Sequence, residues 1–297
     1  MPAAIVALRP QEWIKNLLVF AGLLFSGQLD EGDRVLAAIL TFVAFCAISS
    51  AGYLFNDLRD RELDRRHPEK RDRPIASGAV APGTASGLAL ALAAAGVALG
   101  FAVESEVAGL VALYGAITAA YSLLLKRLVI LDVMTIASLF ILRVVAGAVA
   151  VESGASEFLL ICTGMLALFL GFTKRRQEAM LEEQGAVASP DSGAEAAAPT
   201  RPVLEHYSIP FLDQMVAMVT ATAILSYVIY AVDSPLIGSK MLATAPSVLY
   251  GIFRYLYLIY DRSDTRSTAA ILVEDPGMVF AGVTWVASAL LMLYVFD

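Results

Sequence analysis

The stretch LALALAAAGVALGFAV, residues 88–103, contains no charged side chain, and neither does LLICTGMLALFLGF at residues 159–172. Crossing a bilayer takes a helix of roughly 17–25 mostly apolar residues, because lipid offers no hydrogen-bond partner to the backbone. The chain is 58% hydrophobic over 297 residues, with a mean hydropathy of +0.71, which is more apolar surface than a soluble core can bury. The sequence therefore predicts an all-α, polytopic membrane protein.

The apolar runs divide into nine predicted spans. They cover residues 13–29, 35–55, 84–103, 107–125, 128–150, 157–173, 211–232, 240–260 and 278–296. With the N-terminus in the cytoplasm, the inner loops receive 17 of the 21 Lys and Arg residues and the outer loops only 2. Basic residues collect on the cytoplasmic side of membrane proteins. We therefore expect a multi-pass protein of the inner (plasma) membrane, with a cytoplasmic N-terminus and active site and an outer C-terminus.

A strongly charged stretch, NDLRDRELDRRHPEKRDRP at residues 56–74, follows the second predicted span. It begins with the spacing N-D-x-x-D-x-x-x-D, formed by Asn56, Asp57, Asp60 and Asp64. On a helix that continues past the membrane, these residues lie within an arc of roughly 100°. Neighbouring carboxylates repel each other unless a cation lies among them, and Mg²⁺ prefers such oxygen ligands. We predict a Mg²⁺ site here; the alternative is a solvated charged loop.

Basic residues follow this acid block, namely Arg65, Arg66, Lys70, Arg71 and Arg73. Two interpretations stay open, and both can hold for one set of residues. The basic residues serve as a topology signal for the cytoplasmic side. Alternatively, they bind the non-bridging oxygens of a diphosphate whose Mg²⁺ is held by the acids.

Other polar residues lie in or beside later spans. Tyr121 and Lys126 end the fourth predicted span, Asp132 begins the fifth, and Arg143 lies within the fifth. An intramembrane arginine costs at least about 2.5–3.5 kcal/mol on insertion scales. We therefore expect Arg143 to face a polar cavity or a partner, and an ion pair with Asp132 is the structural alternative to a binding role.

The segment TKRRQE, which contains Lys174 and Arg175, ends the sixth predicted span. A basic cluster at this place is a topology signal or an anion site. Residues from about 182 to 205 are rich in Ala, Gly, Ser and Pro, which predicts a flexible cytoplasmic loop. Otherwise we expect a single transmembrane domain over residues 1–297.

These features together resemble the UbiA superfamily of membrane prenyltransferases. The resemblance rests on the nine predicted spans, on RPQEWIKN at residues 9–16, and on NDLRDRELD followed by KRDRPIASG. It implies nine transmembrane helices around a central cavity that is open to the cytoplasm and to lipid. It also implies that Mg²⁺-diphosphate is held at the cytoplasmic end of that cavity.

One departure separates the chain from the aromatic prenyltransferases of this superfamily. Those enzymes carry a second aspartate-rich motif, D-x-x-x-D, after the sixth span, where this chain has the basic segment TKRRQEAMLEE. The change argues against a second Mg²⁺–carboxylate clamp and a prenyl diphosphate donor. The chain is instead similar to the decaprenyl-phosphate phosphoribosyltransferase branch, through RPQEWIKNLLVF, YSLLLKRLVILDV, LRVVAGA, GFTKRRQE, LEHYSIPFLDQM, and GIFRYLYLIY followed by EDPG.

The branch implies transfer of 5-phosphoribose from phosphoribosyl pyrophosphate to a polyprenyl (decaprenyl) phosphate, with release of pyrophosphate, for cell-wall arabinan precursors. Such substrates need one Mg²⁺ site and two further anion sites. The expected catalytic residues are Asp57, Asp60, Asp64 and Lys126, and the expected metal ligands are Asn56, Asp57, Asp60 and Asp64. The expected substrate-binding residues are Lys15, Asn16, Lys70, Arg71, Arg73, Tyr121, Asp132, Arg143, Lys174 and Arg175, of which the last two bind the lipid phosphate.

Two rival functions stay open. The first is an ordinary prenyltransferase that moves a prenyl group from its diphosphate to an aromatic or similar acceptor. The second is a transporter or channel, which would distribute polar residues along a path through several spans. We expect the membrane, phosphoribosyl pyrophosphate and a polyprenyl phosphate as partners, with Mg²⁺ as cofactor, possible self-association and no nucleic acid.

Overall fold

The computed structural model describes residues 2–66, 70–187, 202–232, 238–262, 266 and 268–294. Within these ranges all regular secondary structure is helical, which confirms the predicted all-α class. The α-helices are α1 (Ala3–Ala7), α2 (Ala21–Leu24), α3 (Gly32–Arg66), α4 (Pro82–Val103), α5 (Ser105–Leu123), α6 (Leu131–Ala150), α7 (Glu157–Val187), α8 (Ile209–Val232), α9 (Ala245–Tyr260), α10 (Thr268–Glu274) and α11 (Pro276–Tyr294). Short 3-10 helices cover Pro10–Phe20, Leu125–Arg127, Pro202–His206 and Gly238–Thr244.

Within the described ranges, seven helices are long and apolar enough to cross a membrane. They are Gly32–Arg66, Pro82–Val103, Ser105–Leu123, Leu131–Ala150, Glu157–Glu183, Ile209–Val232 and Gly238–Tyr260, and Pro276–Met292 is a shorter apolar helix. The chain is therefore a multi-pass membrane protein, as predicted. The predicted count of nine is not confirmed, because the first predicted span, 13–29, folds as the 3-10 helix Pro10–Phe20 followed by α2. Gly27, at a φ of 75°, lies beyond the end of that helical run.

The chain forms two compact units, Met1–Ala155 and Ser156–Asp297. The single domain and the central cavity both stay predictions. Of the predicted flexible loop, residues 182–187 continue α7 and Pro202–His206 form a 3-10 helix. The remaining residues, 188–201, lie outside the described residues.

In the first unit, α3 contacts α4, α5, α6 and the 3-10 helix Pro10–Phe20. The core here contains Phe45, Val107, Val111 and Tyr114, with Val19 contributed by the 3-10 helix. The 3-10 helix lies directly against α6, because a Cβ added at Gly147 would lie 1.8 Å from the carbonyl oxygen of Val19. Only glycine permits this approach, which fixes the N-terminal segment against the membrane helices.

In the second unit, α7 packs along α8, and α9 packs along α11. Aromatic side chains join these helices: the rings of Phe169 and Tyr255 meet edge to face at a centroid distance of 5.5 Å. Trp285 of α11 donates a hydrogen bond to the Tyr227 hydroxyl of α8 at 2.7 Å.

Candidate active site

The acid block (Asn56, Asp57, Asp60 and Asp64) lies on the last turns of α3, which is unbroken for 35 residues. Asp57 and Asp64 are buried, whereas Arg59, Leu63 and Arg66 on the other side of the helix are exposed. The helix therefore turns Asp57 and Asp64 toward the protein, while its outward side carries basic, apolar and acidic residues, among them the exposed Glu62.

Two arginines contact the first part of this block. Arg9 Nη2 donates to Asp57 Oδ1 at 2.6 Å, and Arg73 Nη1 donates to the same oxygen at 3.3 Å and to Asp64 Oδ2 at 2.8 Å. Arg9 also lies over the Tyr53 ring, at 5.1 Å from its centroid. We call Arg9, Arg73, Asp57 and Asp64 the arginine group.

A lysine contacts the rest of the block. Lys126 Nζ donates to both carboxylate oxygens of Asp60, at 2.8 and 2.7 Å, and lies 3.4 Å from Asn56 Oδ1. We call Lys126, Asp60 and Asn56 the lysine group. Lys126 belongs to the short 3-10 helix Leu125–Arg127 between α5 and α6.

The connection that carries Lys126 ends in a strained turn. Ile130 has φ 69° and ψ −48°, and the Leu131 N–H donates to the Val129 carbonyl at 2.8 Å. This is a γ-turn centred on a β-branched residue, a conformation that costs on the order of 1–3 kcal/mol. The packing of the first unit therefore imposes the path between Lys126 and Asp132.

The acid block carries ligands that suit Mg²⁺, namely the oxygens of three carboxylates and one amide. Within the described ranges, however, no three His, Cys, Asp or Glu side chains lie close enough together to hold a metal ion. Instead, Arg9, Arg73 and Lys126 lie among the carboxylates as ion-pair partners. The metal site at Asn56, Asp57, Asp60 and Asp64 stays a prediction that fits the ligand chemistry.

Arg143 lies in a buried hydrogen-bond network. Its Nε donates to Asn16 Oδ1 at 2.7 Å, its Nη1 to the Leu139 carbonyl at 2.8 Å, and its Nη2 to the Tyr114 hydroxyl at 2.6 Å. These partners are neutral. The alternative of an ion pair between Arg143 and Asp132 is wrong. The two residues lie about 16 Å apart along α6.

The other predicted residues of the first unit lie in different surroundings. Lys15 pairs with Glu12, and Asn16 is fully buried. Lys70 is close enough to Asp64 to interact with it electrostatically, and Arg71 is exposed. Tyr121 is partly buried, and Asp132 is fully buried at the start of α6. The structure thus joins Arg73 and Lys126 to the acid block directly and places Lys70 nearby.

Lys174 and Arg175 lie on α7, in the second unit. Arg175 is buried and donates to Glu178 at 2.6 Å. The next residue, Arg176, donates to Asp213 at 2.5 Å and lies 3.7 Å from the centroid of the Tyr260 ring. Tyr260 also donates to Asp213, at 2.8 Å. The basic segment TKRRQE therefore has acidic partners within its own unit.

Sequence reasoning missed Arg9 as a site residue. It sits in RPQEWIKN, the segment that supplied Lys15 and Asn16, but it lies 48 positions from its partner Asp57. Its position at the start of this segment, close to Lys15 and Asn16, could have marked Arg9 as a candidate site residue. The Arg176–Asp213–Tyr260 cluster was also missed, because its members come from α7, α8 and α9.

Comparisons with known proteins agree with this architecture. The UbiA prenyltransferase family model matches residues 16–280. The chain is 30% identical to the decaprenyl-phosphate phosphoribosyltransferase of Corynebacterium glutamicum, over 98% of this chain and 86% of that protein. It is 37% identical to the enzyme of the same name from Mycolicibacterium smegmatis, over 74% of this chain and 66% of that protein.

The fold has solved counterparts as well. A UbiA homologue from Archaeoglobus fulgidus, whose structure was solved with GPP and Mg²⁺, superposes with a TM-score of 0.74 at 17% identity, over 99% of this chain and all of that one. The family match and the two curated relatives confirm the resemblance inferred from the motifs, including the branch within the superfamily. The chain belongs to the UbiA prenyltransferase family.

Proposed function

We propose that the chain transfers 5-phosphoribose from phosphoribosyl pyrophosphate to a polyprenyl phosphate, such as decaprenyl phosphate, and releases pyrophosphate. One observation carries the proposal. Three basic side chains from separate segments, Arg9, Arg73 and Lys126, converge on the carboxylates of one face of α3. A donor with two phosphate-bearing groups suits this mixture of cations and carboxylates. The names of the curated relatives support the same reaction.

The acid block would hold Mg²⁺ through Asn56, Asp57, Asp60 and Asp64, and the ion would supply positive charge to the diphosphate. The Mg²⁺ in the Archaeoglobus homologue supports this assignment. The basic residues act on the same charge. Lys126 binds non-bridging oxygens of the diphosphate and stabilises the charge that builds up as the ribose C1–O bond breaks, and Arg73 binds a phosphate of the donor.

The bond changes require no strong base. An oxygen of the acceptor phosphate, which is already an anion, forms a bond to ribose C1, while pyrophosphate leaves with the electron pair of the broken C1–O bond. The task of the protein is therefore to bind, orient and neutralise anions. This explains why the sequence shows no arrangement of nucleophile, histidine and acid.

We place the acceptor phosphate at Lys174 and Arg175, and Tyr121 near the ribose or a donor phosphate. The excess of basic residues in the predicted inner loops supports a reaction at the cytoplasmic side of the plasma membrane, where the product would serve as a precursor for cell-wall arabinan. The lipid chain of the acceptor would run along the apolar helices. Lys15, Asn16, Lys70, Arg71, Asp132 and Arg143 stay proposed substrate-binding residues.

The test is a transfer assay with purified full-length protein in lipid vesicles that contain decaprenyl phosphate. One arm supplies radiolabelled phosphoribosyl pyrophosphate, and the other supplies a radiolabelled prenyl diphosphate with an aromatic acceptor. We expect label to enter the lipid only in the first arm, and only with a divalent cation present. Label transfer in the second arm alone would establish the prenyltransferase alternative instead.

A further inference from the structure

The acid block is divided between the arginine group and the lysine group, and the two present different charges to solvent. In the arginine group, the Asp57 and Asp64 side chains are only 3% and 7% exposed, while Arg9 and Arg73 are 24% and 29% exposed. In the lysine group, Asp60 is 21% exposed and Lys126 is 16% exposed. An approaching ligand therefore meets guanidinium groups on one side and a carboxylate beside an ammonium on the other.

The two guanidinium groups are neighbours with spare hydrogen-bond donors. Both reach the same oxygen, Asp57 Oδ1. Among the described residues, Arg9 donates only through Nη2, and Arg73 donates only through Nη1. Each guanidinium carries five N–H donors in a fixed fork. The remaining donors of both arginines are thus available to an anion that can accept several hydrogen bonds at once.

Arg9 is also held in place by the backbone around it. Its φ of 54° and ψ of 60° put it in the left-handed region, directly before Pro10. Trp13 Nε1 donates to Ser50 Oγ at 3.0 Å, and that hydroxyl donates to the Leu8 carbonyl at 3.0 Å. These bonds tie both sides of Arg9 to α3. The Asp57 ion pair and the Tyr53 ring orient its side chain, so Arg9 loses less conformational entropy on binding a ligand than a free arginine would.

We infer that the guanidinium groups of Arg9 and Arg73 bind the 5-phosphate of the ribosyl donor, while Lys126 and the acid block face the diphosphate and its metal. A terminal phosphate has three oxygens and pairs well with forked guanidinium groups, whereas a carboxylate and an amide suit a metal-bound diphosphate. The inference rests on the proposed function and deepens it, because the 5-phosphate is the group that a prenyl diphosphate lacks. It makes Arg9 the specificity-determining residue of the donor site.

The experiment is calorimetric titration of purified full-length protein in detergent with two separate probes, ribose 5-phosphate and Mg²⁺-pyrophosphate. We expect Arg9→Gln to weaken ribose 5-phosphate binding at least about tenfold, which is the loss of a charge-assisted hydrogen bond, and to leave Mg²⁺-pyrophosphate binding within about twofold. Lys126→Gln should do the reverse. The matched control is Arg59→Gln, since Arg59 is exposed on the opposite face of α3 and should change neither titration.

A second variant separates binding from folding. Arg9→Lys keeps a positive charge beside Asp57 but removes the fork. It should melt within a few degrees of the wild type and still bind ribose 5-phosphate more weakly than the wild type does. If Arg9→Gln fails to fold, this comparison decides the question.

Three results would overturn the inference: no binding of ribose 5-phosphate by the wild type, wild-type affinity in the Arg9 variants, or an equal loss of Mg²⁺-pyrophosphate binding in Arg9→Gln. Neither titration requires the acceptor or turnover. A protein that binds ribose 5-phosphate through Arg9 but fails the transfer assay would contradict the proposed function and leave this subsite standing. The opposite combination would contradict the subsite alone.

Discussion

Lys126 donates to both carboxylate oxygens of Asp60, at 2.8 and 2.7 Å, although the two residues lie 66 positions apart in the chain. This pair joins the connection between α5 and α6 to the end of α3. It also supplies the first prediction.

Asp60→Asn should lower turnover by roughly a hundredfold while leaving the melting temperature nearly unchanged. The substitution keeps the shape of the side chain but removes the charge that would balance a metal ion and Lys126. The measurement is the rate of label transfer at saturating and at limiting Mg²⁺. Near wild-type activity at limiting Mg²⁺ would remove Asp60 from the proposed metal site.

Asn16 offers a test of the buried Arg143 network. Asn16→Leu leaves Arg143 Nε without its acceptor, and a lost hydrogen bond to a charged group costs about 1.5–3 kcal/mol. Asn16→Asp keeps the acceptor and adds a counter-charge, so the free energy of unfolding should stay close to the wild-type value. Denaturant unfolding in mixed micelles measures both variants. Equal destabilisation of the two would mean that the contact between Asn16 and Arg143 contributes little.

Gly147→Ala should destabilise the first unit by about 1–3 kcal/mol, because the new Cβ would collide with the Val19 carbonyl oxygen. The control is Gly109→Ala on α5, where a Cβ meets nothing within 4 Å. That change should stabilise the helix by up to about 1 kcal/mol, the difference in helix propensity. If both variants unfold at the same denaturant concentration, the close contact between the 3-10 helix and Gly147 does not contribute to stability.

Lys174→Gln should raise the KM for polyprenyl phosphate about tenfold or more, with the KM for the donor unchanged. Arg175 is a poorer target, because it is buried against Glu178 and its removal would also disturb packing. Arg176→Gln is the comparison variant, since Arg176 is engaged by Asp213 and Tyr260 and should affect stability more than KM. A rise in donor KM instead would show that the two anion sites are exchanged.

Asp275, between α10 and α11, predicts a pH dependence. Hydrogen bonds from Arg254 hold the pKa of Asp275 below its ordinary value, with further support from the Met278 N–H. A lowered pKa in the folded state stabilises the fold above the ordinary value of about 4, and this contribution is lost as the pH falls through the folded-state pKa. Asp275→Asn should therefore melt below the wild type at pH 7, and the gap should shrink on acidification below about pH 4. A gap that stays constant down to pH 3 contradicts the assignment.

Local pattern was sufficient to predict most of the long apolar helices and the acidic face of α3, but not the 3-10 helix at Pro10–Phe20. The spacing of Asn56, Asp57, Asp60 and Asp64 depends only on helix geometry, and their side of α3 is the one that faces the protein. The runs at 84–103 and 211–232 likewise lie within α4 and α8. Periodicity and apolar content carry this information because they act over a few neighbouring residues.

Pairings between distant segments could not be predicted in the same way. Arg9 meets Asp57 because a 3-10 helix packs against Gly147 of α6, and no local pattern reports that packing. For Arg143, the sequence left an ion pair with Asp132 open as the structural alternative to a binding role, but the side chain is surrounded by Asn16, Tyr114 and a backbone carbonyl. Charge alone suggests an acidic partner, whereas the packed core supplies neutral hydrogen-bond acceptors.

The length of helix α3 couples its position in the membrane to the position of the acid block. Its 35 residues form a continuous rod of about 52 Å, well beyond the roughly 30 Å of a bilayer's hydrocarbon layer. The membrane-spanning part of α3 and the carboxylates at its end therefore move as one rigid helix. When bilayer thickness changes, a transmembrane helix adapts by tilting, and here a tilt moves Asp57, Asp60 and Asp64 toward the headgroups together. We therefore expect bilayer thickness to change the height of these carboxylates above the lipid.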